Sequence, residues 1–135
     1  MEKRTIYRIE DPETGDGFWR SSTNGFYNGL KLLNHSRYEA ISDRHNDATK
    51  FPSHSQDTEL NSKINNFAIQ FYHFAFLSMD QIKEALTLEE IKELIDKFGF
   101  RVYAITCTDY HTSKFQVVFK KESIVEKIDI SELFT

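Results

Sequence analysis

The stretch FLSMDQIKEALTLEEIKELIDKFGF, residues 76–100, contains the start signals of two consecutive helices. Ser78 and Gln81 have the spacing of a capping box. In that motif the serine hydroxyl accepts a hydrogen bond from an early helical N–H group, and the glutamine side chain binds the backbone of the cap residue in return. We therefore expect the first helix to begin at about Met79.

A second capping box follows at Thr87 and Glu90, so a second helix should begin at about Leu88. The apolar residues of this helix recur at helical spacing and share one side, whereas acidic residues and lysines occupy the other side. Gly99 comes directly after the last apolar residue, which is the usual place for a glycine that ends a helix. The second helix should therefore cover an apolar surface.

β-Branched and aromatic runs on both sides of the two helices predict strands. Residues 5–9 form a short run of this kind that ends at the Asp11-Pro12 turn sequence. Residues 100–108 and 114–121 form two more, and the second alternates apolar and polar side chains as a half-buried strand does. We expect these two runs to pair as a β-hairpin. The tail, residues 124–135, should add an edge strand or a last helical turn.

These elements predict an α+β fold in a single domain, residues 1–135, in which two or three helices cover a small antiparallel sheet. A polar loop region at about 42–60 should interrupt it, and residues 64–76 fit a helix and a strand equally well. The expected core consists of Phe67, Phe71, Phe74, Ile82, Ile91, Leu94, Ile95, Phe98, Tyr103, Ile105, Val117 and Phe119.

Composition narrows the class of function. The formal net charge is -4, with 17 basic and 21 acidic residues, which argues against direct nucleic-acid binding through phosphate contacts. Cys107 is the single cysteine, which excludes an intrachain disulfide and favours a reducing compartment. The first residues lack the apolar run of a signal peptide, and no run reaches the roughly 20 residues that cross a membrane. We expect a soluble intracellular protein without a membrane partner.

The acidic stretch EDPETGDG, residues 10–17, is either a ligand loop or a chain reversal. Clustered carboxylates suit hard cations, but the spacing of these four does not match an EF-hand loop. A phosphate loop would need a following Gly-Lys-Ser/Thr, and four negative charges would repel an anion. We interpret the stretch as the turn after the first strand with mostly solvated carboxylates, and a metal or ligand loop is the alternative.

A second group of candidate ligands lies in the polar loop. Imidazoles together with carboxylates are the usual ligands of zinc, manganese or iron, so these residue types suffice for a metal or acid–base site. The same types also occur in ordinary hydrogen-bonded loops, and the spacing matches no helical metal motif. No cofactor is expected, and a divalent metal ion at this loop is the alternative. The candidates are Asp43, His45, Asp47, His54 and Asp57.

The two helices do not suit DNA, although their order resembles a helix-turn-helix. Residues 78–99 carry six acidic side chains against three lysines, and a helix that enters a groove lined with phosphates should not be acidic. Such a face suits a protein partner, or simply water, better. The candidate contact residues are Glu89, Glu90 and Glu93 on the helix, and Phe18 and Trp19 after the acidic turn.

Five short motifs follow one another along most of the chain from Tyr7 to Lys121. They are YRIEDPETGDGFWR, ISDRHNDATKFPSHSQD, YHFAFLSMDQIKEAL, FGFRVYAI and KFQVVFKK. In this order the chain resembles a group of small proteins encoded by bacteriophages and prophages. These proteins open with a Tyr-Arg-x-Glu strand and a Gly-x-Gly turn, and they continue through a polar loop to a Ser-capped helix and a closing hairpin.

The resemblance implies a phage accessory protein that acts in the cytoplasm of the bacterial host, and it carries no catalytic residues over to this chain. Together with the acidic charge balance, it leads us to expect a non-enzymatic protein that binds and inhibits a host protein or defence complex. The alternative is a binder or hydrolase of a small nucleotide-type ligand that uses the His/Asp loop. Self-association of the chain is left open.

Overall fold

A computed structural model describes residues 2–15, Gly17 and 56–135 of the chain. The strands of this part are β1 (Arg4–Glu10), β2 (His73–Ala75), β3 (Arg101–Cys107), β4 (Tyr110–Thr112), β5 (Val117–Phe119) and β6 (Ile124–Asp129). The helices are α1 (Thr58–Lys63), α2 (Met79–Ala85) and α3 (Leu88–Phe98), with 3-10 turns at Ala68–Phe71, Lys121–Ser123 and Ser131–Phe134. The predicted α+β class is confirmed.

The first of the two adjacent helices begins where its cap signal placed it. The Ser78 hydroxyl accepts a hydrogen bond of 3.1 Å from the backbone N–H of Gln81, and α2 starts at the next residue, Met79. The Gln81 side chain, however, accepts a 2.7 Å hydrogen bond from the N–H of Leu77 and not from that of Ser78. The glutamine therefore fixes the entry to the helix one residue earlier than the motif predicts.

The cap of α3 shows both halves of the capping box. The Thr87 hydroxyl accepts from the N–H of Glu90 at 3.2 Å, and the Glu90 carboxylate accepts from the N–H of Thr87 at 2.8 Å. Gly99 ends the helix with a φ of 73°, a left-handed conformation that residues with a β-carbon adopt only with strain. Both predicted boundaries of α3 are confirmed.

The first sheet has the strand order β1-β3-β6, and all of its pairs are antiparallel. The pairing of β1 with β3 runs from Arg4 opposite Cys107 to Glu10 opposite Arg101. Because side chains alternate along a strand, the two faces of this sheet carry different apolar residues. One face packs on α2 and α3, and the other packs on the second sheet.

The second sheet has the order β2-β5-β4, and this arrangement corrects the predicted hairpin. Residues 101–107 do not pair with residues 117–119, because β3 lies between β1 and β6 while β5 pairs with β2 and β4. All three residues of β5 are buried. Val118 packs on α1 and Phe119 packs on the first sheet, so β5 is the centre of a sheet of its own.

The core contains most of the predicted residues but not the three upstream phenylalanines. Phe67, Phe71 and Phe74 are 71%, 55% and 38% exposed, so their assignment to the core is wrong. Residues 68–71 form a single 3-10 turn instead of a longer helix, and this turn directs Ala68 and Ile69 inward. The helical spacing of the phenylalanines therefore does not correspond to one buried face.

The two sheets meet at Tyr7 and Phe76. The N–H of Tyr7 donates to the carbonyl of Phe76 at 3.0 Å, and the N–H of Phe76 donates to the carbonyl of Tyr7 at 2.7 Å. Phe76 lies one residue after β2, so these bonds connect the edge of the second sheet to β1. In the part of the chain that the structure describes, no helix is long and apolar enough to span a membrane.

We expect the capping box of α3 to contribute measurably to stability. Replacing Thr87 with alanine removes the hydroxyl that satisfies the N–H of Glu90, and it should lower the free energy of unfolding by about 1 kcal/mol. Urea unfolding followed by circular dichroism measures this. Lys92→Ala, at an exposed position of the same helix, is the control and should change stability by less than about 0.5 kcal/mol. Equal effects of the two substitutions would contradict the role of the cap.

Candidate functional site

Most of the ligand candidates predicted from the polar loop lie outside the described residues. This applies to Asp43, His45, Asp47 and His54, and also to the partner candidates Phe18 and Trp19. Within residues 2–15, Gly17 and 56–135, no three His, Cys, Asp or Glu side chains are grouped as a metal site requires. The proposal of a site at the loop therefore stays a prediction.

Asp57, the fifth candidate, has a structural position. It is 2% exposed, and its carboxylate caps α1 by accepting a 3.1 Å hydrogen bond from the N–H of Leu60. The same carboxylate accepts from the Ser113 hydroxyl and, at 2.9 Å, from the Gln116 side chain. Asp57 thus joins the start of α1 to the connection between β4 and β5. It also shows that the predicted polar loop gives way to a helix at Thr58.

The acidic stretch after β1 folds as the predicted turn in its described part. The N–H of Gly15 donates to the carbonyl of Asp11 at 2.7 Å, and the Asp11 carboxylate accepts from the N–H of Glu13 at 2.9 Å. Gly15 has a φ of 77°, the left-handed value that favours glycine at such a reversal. Its own backbone and the Asp11 carboxylate therefore shape the turn, and the Lys121 ammonium group donates to the carbonyl of Gly15 at 2.9 Å.

Glu10 is an exception to the expectation that the carboxylates of this stretch are mostly solvated. It is 1% exposed and forms ion pairs with Arg8, at 3.4 Å, and with Lys127. The Arg8 guanidinium also donates to the carbonyl of Phe74 and, at 3.2 Å, to that of Gly15. Arg8 and Glu10 therefore tie β1, the turn and the start of the second sheet together, and Lys127 adds β6.

We expect this buried ion pair to be sensitive to the loss of one partner. Glu10→Gln keeps the shape of the side chain but removes a buried negative charge that pairs with Arg8 and Lys127, so the free energy of unfolding should fall by about 3 kcal/mol. Chemical denaturation measures the loss. Glu13→Gln, in the same turn but exposed, is the matched control and should have little effect. If Glu10→Gln proved as neutral as its control, the ion pair would not be what holds the turn.

His73 lies in β2 with its ring 6.0 Å from the ring of Phe119. Burial, together with the positive charges of Arg8 and Lys121, lowers the pKa of His73 to about 4. A histidine held neutral in this way is not a proton carrier near neutral pH. Cys107 is equally unsuited to catalysis, because burial raises the pKa of its thiol to about 11.

The depressed pKa of His73 predicts lower stability in mild acid. The unfolded chain binds a proton at this histidine below about pH 6.5, whereas the folded chain does so only below about 4. Stability contributed by the neutral ring is therefore complete at pH 7 and is lost as the pH falls through that window. Allowing for partial exposure, the loss by pH 5 should be about 1 kcal/mol. His73→Gln should remove this part of the pH dependence, and an unchanged pH profile in that variant would exclude His73 as its source.

A surface groove lies between the helices and the end of the chain. Its volume is about 410 Å³. Leu86, Ile91 and Phe134 line it and are almost fully buried, whereas two other lining residues, Leu88 and Leu133, are 58% and 69% exposed. The groove thus has an apolar floor and two exposed leucines beside it, a combination typical of a surface that receives an apolar side chain of a partner.

Lys83 is the charged residue among those that line the groove, and acidic residues of α3 stand next to the lining residues in the sequence. Glu89 follows Leu88 and is exposed, and Glu93 lies one turn later, at 3.4 Å from Lys97. Glu90 is 4% exposed and belongs to the cap of α3, so changing it would also disturb the helix. Of the three predicted glutamates, Glu89 is the most accessible beside the groove.

The two leucines of the groove were not singled out by the sequence pattern. Leu88 belongs to the apolar side predicted for α3, but it is the first residue of the helix and more than half of it is exposed. Leu133 lies in the 3-10 turn Ser131–Phe134, in which only Ser131 and Phe134 are buried. Helical periodicity identifies the apolar side of a helix, but it does not show which residues of that side are covered by other elements of the fold.

The fold and the groove define the class of protein: it is a small α+β protein with an apolar groove beside its acidic helices. The chain belongs to the family described as Bacteriophage T4 Y00F protein, whose model matches residues 1–132. It matches no curated protein and no solved structure. The family confirms the phage origin that the sequence motifs predicted.

Proposed function

We propose that this phage protein is a non-enzymatic accessory protein that binds and inhibits a component of its bacterial host, with anti-phage defence factors as the class of partner. Its family supports the phage setting. The observation that carries the proposal is the groove in which Leu88 and Leu133 remain exposed over a buried apolar floor. A partner that covers them gains apolar burial without any rearrangement of the core.

The energetic argument concerns the two exposed leucines. Fully burying an exposed leucine side chain contributes about 1.5 to 3 kcal/mol. Leu88 and Leu133 are 58% and 69% exposed, so each can contribute more than half of that on binding. Interfaces depend on a few such anchors at their centre, surrounded by polar contacts. The groove provides the anchors, and the helical surface provides the polar surroundings.

Charge indicates what kind of segment fits. Lys83 lines the groove itself, whereas residues 78–99 as a whole carry six acidic side chains against three lysines, and Glu132 stands next to Leu133. An apolar side chain flanked by lysine or arginine complements this surface, because opposite charges across an interface favour the correct partner and speed association. Host factors that act on nucleic acid present such basic surfaces, so an acidic phage protein can compete for them.

The alternative function, binding or hydrolysis of a nucleotide-type ligand, depends on His45 and His54. Asp57, which the structure does describe, uses its carboxylate to cap α1 and to hold Ser113 and Gln116. The geometry of the groove therefore gives more support to protein binding. Substitutions distinguish the two functions, because His45→Ala and His54→Ala should abolish ligand turnover and leave protein binding intact.

Site-specific crosslinking tests the groove directly. A photoreactive amino acid at Leu133 should capture one defined host protein in cells that express the chain, and Leu88→Arg should abolish that crosslink by placing a positive charge in the groove. Glu89→Lys should weaken the crosslink about tenfold or less, since a charge at the edge of an interface contributes modestly.

Val125 provides the matched control position for the crosslinker and for the arginine substitution, because it is 54% exposed on β6 and does not line the groove. A crosslinker at Val125 should capture nothing specific, and Val125→Arg should leave the Leu133 crosslink unchanged. If the Leu133 crosslink survived Leu88→Arg, or if crosslinkers at Leu133 and Val125 captured the protein equally, the groove would not be the contact surface. Inhibition is then tested by comparing infection by wild-type and Leu88→Arg phage in hosts with and without the captured protein.

A further inference from the structure

The charges of this protein are segregated between its two sides. Residues 60–75 and 110–121 include all of the second sheet, and they contain four lysines and two histidines but no aspartate or glutamate. Three acidic residues, Glu59, Asp109 and Glu122, directly flank these ranges, and Glu59 pairs with Lys63. The acidic helices pack on the opposite face of the first sheet. The expectation of no nucleic-acid binding rests on the overall charge of -4 and on the acidity of residues 78–99, and neither describes this lysine-containing side.

Aromatic rings are exposed on this basic side. Phe67 and Phe71 are 71% and 55% exposed, and their ring centroids lie 5.6 Å apart in an edge-to-face arrangement. Tyr72 follows directly, with its ring centroid 5.4 Å from that of His111. The Lys120 ammonium group lies 5.5 Å from the centroid of the Tyr72 ring. The Tyr72 ring thus lies close to both an imidazole and a lysine.

Neighbouring polar groups fix this arrangement. The Tyr72 hydroxyl donates a 2.8 Å hydrogen bond to the Asp109 carboxylate, which orients the ring. Burial and that carboxylate raise the pKa of Tyr72 to about 12, so the ring stays neutral at physiological pH. Glu59 pairs with Lys63 at 3.3 Å and also accepts from the N–H of Lys114 at 3.1 Å. The ammonium group of Lys114 lies 5.0 Å from the ring centroid of Phe115.

We propose that this basic aromatic side binds single-stranded nucleic acid. Exposed rings offer faces on which unpaired bases stack, at about 1 to 3 kcal/mol per base, and lysines follow the phosphates between the bases. A duplex keeps its bases stacked inside and would leave the phenylalanines without partners. An acidic protein segment would satisfy the lysines but does not need four rings on a basic surface. The contact residues are Phe67, Phe71, Tyr72, His111, Lys114 and Lys120.

Fluorescence anisotropy with labelled oligonucleotides of 15 thymidines or 15 uridines, in 50 mM salt, tests the proposal. Wild-type protein should bind both, and Phe67→Ala combined with Phe71→Ala should weaken binding at least tenfold because two stacking partners are lost. These side chains are exposed, so the variant should keep its fold, which circular dichroism checks. Val125→Ala combined with Ile128→Ala, which removes two exposed apolar side chains of β6, is the matched control and should bind normally.

Salt dependence distinguishes stacking from simple charge attraction. Lys120→Ala should reduce the slope of log affinity against log salt by about 0.7, the value expected for one phosphate contact on a single strand. A 15-base-pair duplex and polyglutamate should bind at least tenfold more weakly than the single strand. Tighter binding to polyglutamate would assign the surface to acidic proteins. Oligonucleotide binding that is unchanged by the two phenylalanine substitutions would show only nonspecific charge attraction. Either result overturns the proposal, and neither bears on the groove, which its own crosslink tests.

Discussion

Two backbone hydrogen bonds, between Tyr7 and Phe76, determine how the halves of this protein are placed. They connect the edge of β1 to the chain just after β2, so that the second sheet continues from the edge of the first and then folds over its face. Ile6 and Ile105 on that face pack against Val117 and Phe119. With the helices on the other face, β1 and β3 become the middle layer of the structure.

This middle layer explains why charged groups are buried in so small a protein. Because this layer is covered on both faces, Arg8 and Glu10 are shielded from solvent. Both lie on the same face of β1 as Ile6, which is the face toward the second sheet. Burial of two charges is tolerated when they pair and their remaining donors find acceptors. The carbonyls of Phe74 and Gly15 are those acceptors for Arg8, so the polar contacts reinforce the connection between the sheets.

The local elements of this fold were predictable, whereas the long-range pairing was not. The starts of α2 and α3 and the end at Gly99 depend on residues within one helical turn, and the sequence displays those residues directly. The pairing of 101–107 with 4–10 joins segments about 100 positions apart, and apolar alternation fits several partners equally. Phe67, Phe71 and Phe74 were wrongly assigned to the core for the same reason, because their spacing does not show whether another part of the fold covers them. Of the candidate site, the acidic character of the helices could be read from the sequence, but the exposure of Leu88 and Leu133 could not.

The chemistry of Cys107 has a practical consequence. The chain contains one thiol, it is fully buried, and its thiolate is strongly disfavoured. Reagents that modify cysteine should therefore find no reactive group in the folded protein. A cysteine introduced at any exposed position would become the single point of attachment for a dye, a spin label or a solid support, with the native residue left in place.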